Sequence, residues 1–415
     1  MTAFRATIHQ HGQILSRPVK PTEGTTHDVA YELGYCFQLD RDHCLLVASL
    51  DEQGGGDKCV GNDAYVFSSV KEIAPERAMP LNRPDPKFRL RSGNTAWMAK
   101  YPASGAFLPL GRERKNGGGR HGQGTGLLVS TGMSFNADGS SLEQNSECAV
   151  EFMQLDWNGR ELTVRDRTYV TVLDGLALKG TAISPFLVDG NGFLAPFSTD
   201  CGTVVFRFEF QSGQWRSVAH GHPFGKGGSK DLALPVFDSE MEPSIQKSNG
   251  RYWVHTRGAD PVGRLYRSTD GLDYELYREQ ALHTVPQVLN AGPDGDLYLA
   301  TNPSPSSPAV WLRNPLVILP LGKDGYGAPI IVHDEGGIRC DTGDSIPFVD
   351  HAVGCNVFLE GRWRHLLWYR VCDLKERTAY SFQTELARLI GTPKPRKPTS
   401  GLYLAEIVFN SGAQG

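Results

Sequence analysis

The chain has 415 residues, of which 40% are hydrophobic and 21% charged, and its formal net charge is −4. No apolar run approaches the ~18–20 residues that a membrane-spanning helix needs. The 42 Lys and Arg residues form no long basic block. Composition therefore predicts a globular protein of one large domain or two ordinary ones, with neither nucleic acid nor membrane as a partner.

The cysteines and the N-terminus bear on redox chemistry and location. Eight cysteines are spread through the chain without a Cys-x-x-Cys pair. This spacing argues against a zinc ribbon and a thioredoxin-like motif, while the even number permits disulfides. The first residues, MTAFRATIHQ, lack the apolar segment and the cleavage site of a secretory signal. We therefore expect a cytoplasmic protein from the chain as it stands, or a secreted one if a leader was removed.

Dipeptides that favour tight turns recur between short stretches rich in Val, Phe, Tyr, Leu and Trp. The segments VVFRFEF and QWRSVA, which flank one such dipeptide, alternate in the two-residue period of a strand. The pattern predicts hairpins at Asn158-Gly159, Asp189-Gly190, Ser212-Gly213, Asn249-Gly250, Asp294-Gly295 and Glu360-Gly361.

Helical periodicity is scarce. The best helical candidate is Tyr380 to Ile390, followed by Gly391 and the basic, proline-rich loop TPKPRKP. The segment GLYLAEIVF after that loop reads as the last strand.

An all-β chain of this length must protect its sheet edges, and radial repetition of four-stranded blades does so. At ~50–60 residues per blade, 415 residues predict a single seven-bladed β-propeller spanning residues 1–415. Two β-sandwiches are the alternative. No linker-like change in composition near the middle of the chain supports them.

One turn carries a folding signature. The segment from Arg267 to Tyr274, RSTDGLDY, resembles the Asp-box turn of sialidase-like propellers, with Tyr in place of Trp. We expect Asp270 to accept hydrogen bonds from nearby backbone N–H groups, Gly271 to adopt a positive φ and the aromatic ring to fill the blade.

The order of further segments is similar to that of BNR-type propellers, which include sialidases and, closer still, the rhamnose-glucuronate and ulvan lyases. The resemblance covers roughly residues 95–408. The chain has Arg120-His121-Gly122 where relatives are expected to have His-Pro-His. The matching segments are GAFLPLG at 105–111, RHGQGTG at 120–126, MEPS at 241–244, HTRG at 255–258, RNPL at 313–316, LPL at 319–321, Asp350-His351, GRW at 361–363 and LWYR at 367–370.

This resemblance implies an enzyme that cleaves a uronate-containing glycan by β-elimination, releasing terminal L-rhamnose from rhamnosyl-α-1,4-glucuronate. A glycoside hydrolase is the nearest alternative, because Glu240, Glu242 and Asp350 would allow an inverting mechanism. No Arg-Ile-Pro segment near the N-terminus supports a sialidase. A non-catalytic propeller that binds a sugar or a protein is the other alternative.

The candidate catalytic residues are three histidines and one arginine. His121 lies in a glycine-rich loop, where the backbone can approach a ligand closely, and an imidazole accepts protons near neutral pH. His351 and His222 are alternative proton-transfer residues. Arg257 is expected to grip the substrate carboxylate, since C5 of a uronate loses its proton only when that carboxylate is neutralised. An internal pair between Arg257 and Glu242 is an equally weighted alternative.

Other side chains are candidates for substrate contact. The pair His220 and His222 could also hold a metal, but no carboxylate pattern completes such a site. Tyr369 could equally belong to the core. The expected substrate-binding residues are Lys100, Arg120, His220, Glu242, His255, Asp350 and Tyr369.

The reaction as inferred needs no cofactor and no catalytic metal, and a structural calcium ion is compatible with the fold. The expected partner is an oligosaccharide or polysaccharide substrate. We expect the protein to be a monomer.

Overall fold

The computed structural model describes residues 6–18, 29–52, 59–89, 93–109, 123–135, 148–225, 240–258, 262–282, 285–302, 313–335, 347–373 and 400–409. Within these ranges the chain folds almost entirely into β-strands, with two 3₁₀ turns at Val70–Glu72 and Pro75–Arg77. No helix among them is long and apolar enough to cross a bilayer. The predicted helix at 380–390 and the basic loop after it lie outside the described residues.

The strands form antiparallel units, which we call blades and number in chain order. Blade 1 holds β2 (Val29–Gln38), β3 (Cys44–Glu52), β4 (Cys59–Phe67) and β5 (Met79–Asn82). Blade 2 holds β6 (Asp85–Arg89), β7 (Thr95–Pro109), β8 (Gly124–Phe135), β9 (Cys148–Trp157) and β10 (Leu162–Val170). Blade 3 holds β11 (Val172–Leu173), β12 (Leu176–Thr181), β13 (Leu187–Asp189), β14 (Gly192–Thr199), β15 (Gly202–Gln211) and β16 (Gln214–His220).

The second half of the chain continues the pattern. Blade 4 holds β17 (Met241–Ser248), β18 (Arg251–Arg257), β19 (Val262–Ser268) and β20 (Glu275–Ala281). Blade 5 holds β21 (Val288–Ala291), β22 (Leu297–Thr301), β23 (Leu316–Gly322), β24 (Gly325–Tyr326) and β25 (Ile330–His333). Blade 6 combines β26 (Pro347–Leu359), β27 (Arg362–Asp373) and β28 (Gly401–Phe409) with the N-terminal strand β1 (Ala6–Leu15).

The blades are arranged in a closed ring. Each blade contacts the next one along the chain, and blade 6 contacts both blade 5 and blade 1. Blades 1 and 2 share one nine-stranded sheet, because a single parallel bridge joins Val60 of β4 to Lys100 of β7. Several strands contact neighbouring blades. We call five of them the inner strands: β2, β7, β17, β21 and β26. This is the arrangement of a β-propeller.

The two ends of the chain close the ring. Strand β1 pairs antiparallel with β28, placing Ala6 opposite Phe409 and Leu15 opposite Leu402. An unpaired edge of β28 would present free N–H and C=O groups. The N-terminal strand covers this edge.

The predicted all-β, propeller-like fold is confirmed, but the predicted count of seven blades is not. The described strands form five hydrogen-bonded sheets, which separate into six blades once the bridge between Val60 and Lys100 is discounted. Six blades correspond to about 70 residues each. The prediction assumed shorter blades, and the described strands form one blade fewer than it expected.

The predicted hairpin turns are confirmed at the tightest positions. Two-residue loops join β15 to β16, β17 to β18 and β26 to β27. Both loop residues have positive φ at Ser212-Gly213, Asn249-Gly250 and Glu360-Gly361. This is the type I′ geometry that matches the right-handed twist of the flanking strands.

The Asp-box turn also forms as predicted. Asp270 Oδ1 accepts hydrogen bonds from the backbone N–H groups of Leu272 and Asp273, at 2.9 and 3.0 Å. Gly271 has a φ of +82°. The ring of Tyr274 packs 5.0 Å from that of Phe224 in the core between blades 3 and 4.

Candidate active site

Four inner strands carry a β-bulge near the end at which they begin. In each case the strand pairing gains one extra residue on the inner strand. Bulges re-aim side chains and are frequent beside active sites. The bulges lie between Tyr31 and Gly34, Lys100 and Ala103, Met241 and Ser244, and Asp350 and Val353.

Two of the bulges place a charged or titratable residue in a sparsely populated backbone conformation. Glu242 has a φ of +53° and His351 a φ of +49°. Residues other than glycine rarely adopt this left-handed region, and such strain clusters at functional sites. The conformation marks Glu242 and His351 as candidate functional residues.

A buried carboxylate lies between two arginines. Asp350, in β26, faces Arg370 in β27, whose Nε and Nη2 donate to Asp350 Oδ1 and Oδ2 at 2.7 and 2.8 Å. Arg313, which precedes β23, donates from Nη1 to the same carboxylate. Burial raises the pKa of Asp350, but Arg370, His351 and Arg313 outweigh it, so the pKa lies far below the usual range.

A second carboxylate extends this network to blade 1. Arg370 Nη1 donates to Glu32 Oε2 at 2.9 Å, and both side chains are buried. We call Glu32, Arg313, Asp350 and Arg370 the Asp350 network. It joins residues of blades 1, 5 and 6.

Glu242 and Arg257 form a bidentate ion pair beside this network. Arg257 Nε and Nη2 donate to the two carboxylate oxygens of Glu242 at 2.5 and 2.6 Å. Burial raises the pKa of Glu242, but the opposite effect of Arg257, His351 and Arg313 is larger. The net shift of this pKa is therefore downward. The side chains of Glu242 and Arg257 keep 23% and 16% of their surface exposed, which makes this pair accessible to a ligand.

His351 lies close to Asp350 and within electrostatic reach of Glu242. Its Nε2 is 3.9 Å from Asp350 Oδ2, and the side chain is 15% exposed. Burial and the neighbouring arginines lower its pKa to about 4, while Asp350 and Glu242 act in the opposite direction. The imidazole is therefore neutral near pH 7 and able to accept a proton.

Arg313 has one buried N–H group that no described residue hydrogen-bonds. Asp350 engages its Nη1, and no described residue accepts a hydrogen bond from its Nε. The side chain is 10% exposed. A guanidinium binds a carboxylate best through two parallel N–H groups, and the Nε and Nη2 groups form such an edge.

Among the residues that the structure describes, the charges of the site balance. Arg257, Arg313 and Arg370 face Glu32, Glu242 and Asp350, while His351 is neutral. An unbalanced buried charge would cost several kcal/mol. The site therefore offers directed hydrogen-bond donors rather than net positive charge.

The structure brings together four of the residues chosen from the sequence: Glu242, Arg257, Asp350 and His351. The predicted internal pair between Arg257 and Glu242 forms. Contact between Asp350 and a substrate stays a prediction; in the structure this carboxylate is buried and binds two arginines.

Three other expected substrate contacts also stay predictions, and the structure places their side chains in buried positions away from the Asp350 network. Lys100 Nζ lies 3.3 Å from Glu151 within blade 2. Tyr369 donates from its hydroxyl to Gln10 at 2.7 Å. His255 has no partner for either ring nitrogen among the described residues, and burial lowers its pKa to about 3.

The histidine pair after β16 lies at the rim of blades 3 and 4. His222 is 92% exposed and pairs through Nδ1 with Asp273 of the Asp-box turn at 2.9 Å. The ring of His220 contacts the backbone oxygen of Gly221 at 2.9 Å. Neither histidine joins the Asp350 network through any contact in the described part of the chain.

His121 and Arg120 lie outside the described residues, but the strand ends that flank them are placed. Gly124 pairs with Trp157, whose indole N–H donates to Asp40 at 2.7 Å. Asp40 follows the far end of β2, roughly 25 Å along the chain from Glu32 at ~3.3 Å per residue. The described start of β8 thus lies at the opposite end of the blades from the Asp350 network.

Three residues of the site were not given a role from sequence: Glu32, Arg313 and Arg370. Two of them could have been recognised from the sequence. Glu32 and Arg370 are charged residues inside the otherwise apolar strand segments YELGYCF and HLLWYRVC. Charged residues are almost never fully buried unless they are paired.

Comparisons with known proteins place the fold among sialidase-type propellers. Trypanosoma rangeli sialidase matches with a TM-score of 0.51 and 10% identity, over 97% of this chain and 59% of that one. A mutant of that sialidase displaying trans-sialidase activity matches with a TM-score of 0.52 and 10% identity, over 97% and 58%. The K499G mutant of NanB sialidase from Streptococcus pneumoniae gives 0.48 and 8%, over 97% and 70%.

These likenesses show a fold and no more. The chain spans less than two thirds of the length of the T. rangeli sialidase. No protein-family model matches the sequence, and no curated protein matches it. The protein has a sialidase-like β-propeller fold.

We predict that Asp350→Asn lowers the free energy of unfolding by about 3–5 kcal/mol, because it leaves two buried arginines without their shared carboxylate. Urea unfolding measures the change. The control is Asp273→Asn, which removes an exposed carboxylate paired with His222 and should change stability by no more than ~0.5 kcal/mol. Equal effects of the two variants would contradict the importance of the network.

Proposed function

We propose that the protein is an enzyme that cleaves a glycoside whose sugar carries a carboxylate, and that the reaction takes place beside the Asp350 network. The main support for this proposal is the buried Nε–H of Arg313, which has no partner among the described residues and lies close enough to Glu242 and His351 to act on their charge. A substrate carboxylate would complete the hydrogen bonding of this guanidinium.

Hydrolysis is the favoured reaction. In it, His351 accepts a proton from the attacking water, because its imidazole is neutral near pH 7, and solvent water protonates the departing glycosidic oxygen. Glu242, kept ionised by Arg257, stabilises the positive charge that develops on the sugar ring. The structures that share the fold are named sialidases, which supports a hydrolase acting on an acidic sugar.

The other carboxylates considered for an inverting hydrolase are less suitable than Glu242. Glu240 accepts hydrogen bonds from Thr256 and Tyr266 at 2.6 and 2.8 Å and is buried. Asp350 is held by two arginines. Of these acidic residues, Glu242 is the one with a partly exposed side chain.

β-Elimination from a glucuronate is the second candidate, and the neutral imidazole of His351 favours it. The same site would bind the uronate carboxylate on Arg313 while His351 removes the proton from C5. The C4–O bond then breaks as the C4=C5 double bond forms, and solvent water protonates the departing oxygen. The release of terminal L-rhamnose, which the sequence resemblance implies, belongs to this candidate. The expectations of a monomer, of no required cofactor and of a compatible structural calcium ion remain predictions.

We predict that the protein cleaves glycosides of N-acetylneuraminate or glucuronate faster than their carboxyl methyl esters. Arg313→Gln should lower the rate on the acids by ~10²–10³ and leave the rate on the esters little changed. The matched control is Arg267→Gln, since Arg267 pairs with the exposed Glu275. Equal rates on acids and esters with the unmodified protein would contradict carboxylate recognition.

The products separate the two reactions. Hydrolysis gives a saturated acidic sugar, whereas elimination gives an unsaturated uronate with ultraviolet absorbance. Chromatography with absorbance detection on a rhamnosyl-glucuronate and a sialyl glycoside distinguishes them. An absorbing product would replace hydrolysis by elimination, and the absence of cleavage of either acidic glycoside would contradict both.

The pH dependence tests His351 as the base. Its pKa is lowered to about 4, so the protonated, inactive form dominates only below that pH. We predict that activity rises with pH through about 4, and that His351→Gln lowers the rate by ~10²–10⁴ and removes this limb. His222→Gln is the control, because that side chain is exposed at the rim. An acidic limb that persists in His351→Gln would assign the proton transfer to another group.

A further inference from the structure

One aromatic ring contacts both arginines of the Asp350 network. Phe348 lies two residues before Asp350 in β26, so the two side chains share one face of the strand. The centre of its ring is 4.4 Å from Cζ of Arg313 and 5.0 Å from Cζ of Arg370. Phe348 is buried, so these contacts are shielded from water.

The two arginines differ in how firmly hydrogen bonds hold them. Arg370 donates three hydrogen bonds to two carboxylates. Arg313 donates to Asp350 from Nη1, and its Nε has no partner among the described residues. A single charge-assisted hydrogen bond leaves the plane of a guanidinium free to rotate about that contact.

Two neighbours of Arg313 destabilise its positive charge. Burial disfavours its charged form, Asp350 supports it, and Arg370 and Arg257 oppose it. The negative face of an aromatic ring attracts a guanidinium, most strongly where water is excluded. Stacking on Phe348 thus both stabilises the charge and fixes the plane of the group.

We propose that Phe348 is a positioning residue that holds the Nε–Nη2 edge of Arg313 toward the carboxylate of an acidic sugar. This inference rests on the proposed function for the identity of the ligand. The stacking of Arg313 on the Phe348 ring can be tested without a ligand. The competing explanation is that Phe348 only fills volume in the core.

The first experiment measures the position of Arg313 directly. In protein labelled with ¹⁵N-arginine, the Arg313 Nε–H resonance is assigned by its loss in Arg313→Lys. A ring close to the guanidinium shifts this proton resonance, and Phe348→Leu should remove that shift. Phe206→Leu is the matched control, since Phe206 is equally buried in blade 3, away from the arginines. An unchanged resonance in Phe348→Leu overturns the proposal.

The second experiment measures ligand recognition by calorimetry with glucuronate and N-acetylneuraminate. Phe348→Leu should raise the dissociation constant for the acid that the unmodified protein binds by roughly 5–30-fold. On a cleaved acidic glycoside KM should rise by a similar factor with kcat nearly unchanged. Equal affinities in Phe348→Leu and Phe206→Leu would make Phe348 a core residue only.

Two further outcomes are decisive. If Phe348→Leu does not fold, Phe348→Met replaces it, because a flexible apolar side chain adapts to the same space without an aromatic face. If the unmodified protein binds neither acid, the proposed function fails, whereas the resonance experiment still decides whether Phe348 positions Arg313.

Discussion

The carboxylate of Asp350 is the interaction on which the arrangement of the site depends. It lies in blade 6, accepts hydrogen bonds from Arg370 in the same blade and Arg313 in blade 5, and is linked through Arg370 to Glu32 in blade 1. Apolar packing stabilises each pair of neighbouring blades. The ion network fixes the relative positions of three blades at the point where the ring closes. Buried ion pairs add little net stability, so we attribute this network to the geometry it imposes.

That geometry divides the site into two layers. The buried layer consists of Glu32, Asp350 and Arg370, whose hydrogen bonds are directed at one another. The accessible layer consists of Glu242, Arg257, Arg313 and His351, each partly exposed. The buried layer holds charges that a ligand cannot reach, and the accessible layer offers donors, a carboxylate and a neutral base. In the proposed function, this site would recognise a substrate carboxylate by direction more than by net charge.

Local patterns in the sequence predicted much of the fold, because hairpin turns and the Asp-box depend on a few adjacent residues. The Ser212-Gly213 and Asn249-Gly250 turns and the contacts of Asp270 are of this kind. The pairing of Glu242 with Arg257 was also predictable, since the two residues flank one hairpin. The blade count was not, because long connections and extra strands enlarge the blades.

The site was harder to predict because residues distant in sequence build it. Glu32 and Arg370 are 338 positions apart, and only ring closure brings them together. His121 was favoured for its glycine-rich surroundings, yet the strand that follows it begins at the other end of the blades, next to Trp157 and Asp40. Local composition does not reveal the end of a blade at which a loop emerges.

A crystal structure of the protein with a bound acidic sugar, glucuronate or N-acetylneuraminate, would show directly whether Arg313 binds the carboxylate. We expect the sugar carboxylate to accept hydrogen bonds from Nε and Nη2 of Arg313, while Asp350 remains bound to Arg370. A sugar bound elsewhere, or one whose carboxylate faces solvent while Arg313 stays unoccupied, would contradict this expectation.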